Sequence, residues 1–158
     1  MNSTHLHLMI THLPIFGDVM GALVLIHGMW SKSNQTKIAA YNLFILSAIG
    51  AGIAYATGEG AEDTVENIQG VATGLIERHE EMAKIALISF IILGAISLAG
   101  TFFTIKKDKI SHTLAIVILF LSIISFGIVA RTGYLGGQIR HTEISSNNSI
   151  NQNEDNDD

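Results

Sequence analysis

Residues 82–105 read MAKIALISFIILGAISLAGTFFTI, a run in which Lys84 is the single charge. About 20 such residues cross a ~30 Å hydrocarbon layer as a helix. A soluble helix of this length would need a wide polar stripe, and this run has none. Three further runs have the same character, which gives four spans at approximately 8–30, 38–57, 80–105 and 112–135. Hydrophobic residues make up 48% of the chain and charged residues 15%, which is too apolar for an ordinary soluble domain. The expected fold is all-α, an integral membrane four-helix bundle over residues 8–137. A lead-in precedes it at 1–7, an acidic segment at 58–79 joins its halves, and a polar tail at 138–158 has the composition of a disordered segment.

The first run lacks a basic flank, since no Lys or Arg precedes Lys32, so it is read as a span and not as a cleaved leader. The absence of cysteine excludes c-type haem attachment, cysteine-held iron–sulfur clusters and disulfides. No phosphate-binding loop, dinucleotide fingerprint, nucleophile elbow or H-E-x-x-H motif is present; "HEEMA" has Ala83 where the second histidine would stand. No basic stripe suits nucleic acid. No catalytic reaction is legible, and the reading leans away from an enzyme.

The short connections carry Lys32 and Lys37, then Lys106, Lys107 and Lys109, while residues 58–81 carry Glu59, Glu62, Asp63, Glu66, Glu77, Glu80 and Glu81 against Arg78. Cations beside span ends favour the cytoplasm, so both termini and the acidic segment are expected outside. An even number of spans gathers His5, His7, His12, His79 and His141 at that face, with only His27 and His112 toward the other.

Neutral imidazole is the commonest ligand of transition metals and of haem iron, and a bundle presents such ligands from facing helices. His12 and His79 stand at the expected mouths of two helices and are the first candidates, with His7 and His141 in reserve. Glu62, Glu80, Glu81 and Glu143 are possible oxygen ligands if the site holds a metal ion. The bland alternative is a set of interfacial histidines facing water and headgroups. Asp18 and Arg131 lie inside spans 1 and 4 and are expected to neutralise each other as an intramembrane pair, since either alone is costly. In the functional alternative, Arg131 and Arg140 hold a haem propionate while Asp18 orients a histidine or relays protons. Gly17 and Gly21, and the Gly/Ala-rich stretch "SAIGAGIAYATGEGAE", suit close helix contact, or else leave room for a flat macrocycle. A short interfacial helix is expected with Ala61, Val65 and Ile68 on one side, and Gly136–Gly137 are expected to end or bend span 4.

These residues resemble a known family. "HLMITHLPI" (7–15) is similar to the H-P-x-x-x-H-F-P-I opening of the four-helix bacterial membrane proteins of domain of unknown function 2231. His79 matches a histidine opening their third helix, and "GYLGGQIRH" (133–141) resembles their G-x-L-G-G-x-L-V-Y-x-H-G ending. Leu8 replaces the first proline, and His141 falls two residues early. Some members are joined to, or encoded beside, Rieske-type or cytochrome redox modules. The resemblance therefore implies a redox-linked protein of the bacterial inner membrane that binds b-type haem and meets redox partner proteins. Without haem, the same histidines suit Cu, Fe or Zn, and in either case the expected job is electron transfer. The rival readings are a cofactor-free accessory subunit of a membrane complex or a homo-oligomer, and a small-solute or proton carrier using Asp18 and Arg131.

Overall fold

The computed structural model describes residues 9–65 and 73–154, with side-chain surroundings for 9–58 and 74–138. Four helices follow in order: α1 His12–Trp30, α2 Asn34–Val65, α3 Thr73–Ile105 and α4 Ile110–Glu154. Each packs against its sequence neighbours, and α1 also packs on α4, which closes an up-down-up-down bundle. All four are long and apolar enough to cross a membrane, over His12–Trp30, Asn34–Gly58, Gly74–Ile105 and Ile110–Gln138. Only 28–33% of each apolar window is buried inside the bundle. The outward residues include Phe16, Leu23, Ile49, Ile88, Leu98, Phe120 and Ile123. Such a continuous apolar exterior is stable against lipid and not against water.

The interior follows a different rule. The inward positions step by three and four: Pro14, Asp18, Gly21, Leu25, Gly28 on α1; His79, Ala83, Ala86, Phe90, Leu93, Ser97, Gly100, Thr104 on α3; Ser111, Ala115, Ile118, Ser122, Ser125, Val129, Thr132 on α4, all buried except the half-buried His79, Ala83 and Val129. A repeat of 3.5 residues gives the shallow left-handed crossing of a coiled-coil-like bundle. Lipid is as apolar as leucine, so these helices associate through close van der Waals contact, which small residues permit. Gly17 packs onto Ser47 and Gly21 onto the Phe44 ring, while Gly94 meets Ala48 and Gly100 meets Tyr41 and Ile118. The glycines of span 1 serve helix contact.

The two tight connections are built alike. After α1, the Ser33 N–H donates to the Gly28 carbonyl at 3.0 Å and the Lys32 N–H to Met29 at 3.3 Å; after α3, Asp108 N–H donates to Phe103 and Lys107 N–H to Thr104, both at 3.1 Å. This 6→1, 5→2 pair is the Schellman ending, whose penultimate residue sits left-handed. Here that residue is a lysine, with φ 55° at Lys32 and 54° at Lys107. Ser33 Oγ then accepts the Thr36 N–H and Asp108 Oδ1 the Ile110 N–H, which starts the next helix at once. A side chain in the left-handed region costs about 1–2 kcal/mol, partly offset in glycine by a freer unfolded chain. Lys32→Gly and Lys107→Gly are each expected to stabilise the protein by roughly 0.5–1 kcal/mol, read as a higher thermal midpoint in detergent.

Three expectations change. Span 4 does not end at Gly136–Gly137: α4 continues to Glu154, into the stretch read as a disordered tail. A helix already nucleated extends at the cost of propagation alone. Among the described residues Ala61 and Val65 belong to α2, which itself runs on to Val65, and not to a separate interfacial helix; Ile68 lies outside the described residues, as do the side chains of Ala61 and Val65. Helix α3 starts at Thr73, so His79 lies two turns inside it and not at its mouth.

Candidate functional site

At the end of the bundle where α1 begins, the four helices leave a cavity of about 100 Å³. Its walls are Thr11, Pro14 and Ile15 from α1; Ala51, Ala54 and Tyr55 from α2; His79, Ala83, Ala86, Leu87 and Phe90 from α3; Val129, Thr132 and Gly133 from α4. The space exists because short side chains, Ala51, Ala54, Ala83, Ala86 and Gly133, meet there from three helices. Just below, the rings of Phe90 and Phe44 are wholly buried. His79 is half-buried on the cavity wall.

Two residues of α4 orient His79. Its Nδ1 lies 3.0 Å from the Thr132 carbonyl. A carbonyl only accepts, so Nδ1 is the donor in this contact. The ring rests over Gly136, where a Cβ would lie 3.1 Å from Cε1 and 3.4 Å from Nδ1. Gly136 is thus a seat for the imidazole, which explains a glycine inside a continuous helix. The Thr132 side chain is buried, and its hydroxyl donates to the Ile128 carbonyl at 3.0 Å.

The other expected site residues separate from His79. His12 is exposed, with its ring edge-on to exposed Phe16 at a centroid distance of 6.4 Å, and it is not among the cavity-lining residues. One helical step, ~100°, turns Thr11 inward and His12 outward. The structure does not present His12 and His79 as a facing pair across that cavity. His7 lies outside the described residues, as do the side chains of Arg140, His141, Glu62 and Glu143. Glu80 pairs with Lys84 at 2.6 Å on the outer surface, and Glu81 is exposed.

The Asp18–Arg131 pair is corrected. Asp18 is wholly buried, and its Oδ1 accepts a hydrogen bond from Ser122 Oγ at 2.6 Å. Arg131 is exposed and nine residues further along α4, ~13 Å up the axis from Ser122. Depth alone suggested the pairing, whereas helix rotation and level decide it. Ser122, Thr132 and Gly136 were missed as partners. The first two belong to the step-of-three-and-four row of small and polar residues on α4, which is the signal that could have found them.

Among the described residues no group of three His, Cys, Asp or Glu could hold a metal ion. Pockets for ligands of drug size run about 300–1,000 Å³. At about 100 Å³ this cavity does not fit a haem. The chain matches no protein-family description, no curated protein and no solved structure.

Proposed function

We propose that this chain is a multi-pass protein of the bacterial cytoplasmic membrane that binds a small molecule in the cavity at the α1 end of its bundle, with His79 as the recognising group. One observation carries the reading. A space walled by all four helices is kept open by short side chains, and an imidazole on its wall is fixed in direction by Thr132 and Gly136. The volume suits a ligand of a few heavy atoms, since a cavity of ~150 Å³ holds benzene. The mostly apolar wall favours a small ring or short chain with one polar group for His79 or Tyr55. The lysines at both tight connections favour the cytoplasmic side for those loops, which puts the cavity and both termini outside.

A second reading keeps the imidazole and changes its ligand. Metal-ligating histidines donate their other ring N–H to a carbonyl, as His79 does. A transition-metal ion or haem iron for electron transfer, lying outside the cavity, would use His79 with His7, His12 or His141, and would imply a redox partner protein. The resemblance to the four-helix bacterial family supports this reading.

Absorption spectra of the detergent-purified protein, oxidised and dithionite-reduced, with metal analysis, separate the two. Titration with pyrrole, a five-atom ring with one N–H, followed by histidine ring NMR then tests the first. The expected result is a colourless, metal-free protein in which pyrrole shifts the His79 signals saturably, and Ala83→Leu, which fills the cavity, abolishes the shift. A b-type reduced band or stoichiometric metal moves His79 to the second reading. No band, no metal and no saturable shift overturns both and leaves an accessory subunit.

A further inference from the structure

We propose that Asp18 is a proton-binding station at the centre of the bundle, exchanging its proton with the lysine-loop end through a water-linked row of hydroxyls. The carboxyl is wholly buried in the hydrophobic span of α1. Oδ1 is engaged by Ser122, while Oδ2 has no hydrogen-bond partner among the described residues. An isolated carboxylate in such surroundings is far more costly than a neutral acid.

Among the described residues no packed helix places a counter-charge beside Asp18. Along α1 no other ionisable group stands between His12 and His27; along α3 none stands between Lys84 and Lys106; along α4 none stands between His112 and Arg131. On α2, Tyr41 and Tyr55 are the only titratable groups between Lys37 and Glu59. Lys37 lies at the level of Gly28, ten residues or ~15 Å along α1 from Asp18. Arg131 is exposed, and Lys84 is held by Glu80. A proton is the cation that fits, and it resides on Oδ2.

Two more wholly buried polar atoms lack hydrogen-bond partners, Ser97 Oγ and the Tyr41 hydroxyl. The helix contacts fix their levels. Gly17, beside Asp18, packs on Ser47; Gly94 packs on Ala48; Gly100 packs on Tyr41. Ser97 therefore lies between the levels of Ala48 and Tyr41, and Asp18, Ser97 and Tyr41 descend in order over ~9 Å of bundle. Below them, Thr104 and Ser111 are buried and joined at 3.2 Å, next to the Lys106–Lys109 connection. Orphaned buried hydroxyls are satisfied by ordered water, and hydroxyls bridged by water pass protons. When Asp18 loses its proton toward the loop end, the next hydroxyl or water accepts it as its own proton moves on. The carboxylate is then re-protonated by the reverse transfer, so charge balances at each step.

The full chain in liposomes is treated with dicyclohexylcarbodiimide, an apolar reagent that traps protonated buried carboxyls, across a pH series, and the modified residue is located by mass spectrometry. In parallel, infrared spectra recorded after rapid acid-to-alkaline mixing follow the carboxyl C=O band of Asp18. The expected result is modification at Asp18 that falls as pH rises, with a protonated-carboxyl band that disappears over the same pH range. Asp18→Asn, which keeps the shape and the Ser122 contact, is expected to lack both the modification and the band, and Tyr41→Phe, which removes one hydroxyl of the row, to keep the band but slow its decay severalfold. Absence of modification, modification independent of pH, or an unchanged decay in folded Tyr41→Phe overturns the proposal.

Discussion

Gly94→Leu is expected to prevent α2 and α3 from closing, so that little folded protein survives purification. A Cβ at Gly94 would lie 2.7 Å from the Ala48 Cβ and 4.0 Å from the Ile45 Cα. The Ala48 methyl has no rotamer to escape into, so the helix axes themselves must part. A radial gap of 0.5–1 Å forfeits a quarter to a half of each contact's attraction, and here that attraction is the main force between helices. Alanine should cost about 1–3 kcal/mol, as overpacking does elsewhere, and leucine more. A methyl added at Gly52 or Gly127 would meet nothing within 4 Å, so Gly52→Ala and Gly127→Ala should be close to neutral. Near-ultraviolet circular dichroism during titration with SDS would follow the immobilised Tyr41, Phe44 and Phe90. Equal midpoints for Gly94→Ala and Gly52→Ala would show that the α2–α3 seam is not close-packed.

That contrast bears on what the sequence reveals. The four spans are legible because the outer face of each helix must match lipid, and a run such as 85–103 therefore has no charge. Helix rotation is not legible from hydropathy, because inner and outer faces are both apolar. What distinguishes them is size and hydroxyl content: Gly94, Ser97 and Gly100 inward, Ile91, Leu98 and Phe102 outward. The same difficulty explains the Asp18–Arg131 error. Two intramembrane charges suggest each other, yet a wholly buried carboxyl and an exposed guanidinium ~13 Å up the axis do not meet. His79 was legible as a residue of interest, but its partners were not. A backbone carbonyl leaves no trace in sequence, and the glycine that seats the ring reads equally as a helix end.

Phe90→Ala is expected to join packing to function. Phe90 is wholly buried and forms part of the cavity wall. In a water-soluble core such a change costs about 3–5 kcal/mol, part of it the transfer of the ring from water. In a bilayer the separated helices keep that ring in lipid, so the transfer part falls away and the void remains. If the variant doubles the existing cavity of about 100 Å³, the loss at ~24 cal/mol per Å³ is roughly 2–3 kcal/mol. A ligand that binds only the folded state returns ~2.7 kcal/mol at a hundred times its Kd. A naphthol, too large for the native cavity, should therefore restore the midpoint of Phe90→Ala almost fully while leaving the unsubstituted protein unmoved. Phe44→Ala is the deciding control, since Phe44 is equally buried but is not among the residues that line the cavity. If naphthol rescues both variants alike, the ligand is filling any void in the bundle and the cavity beside His79 has no privileged place. Rescue of Phe90→Ala alone would mean that the site accepts a ligand from outside and that its size limit is set by one side chain.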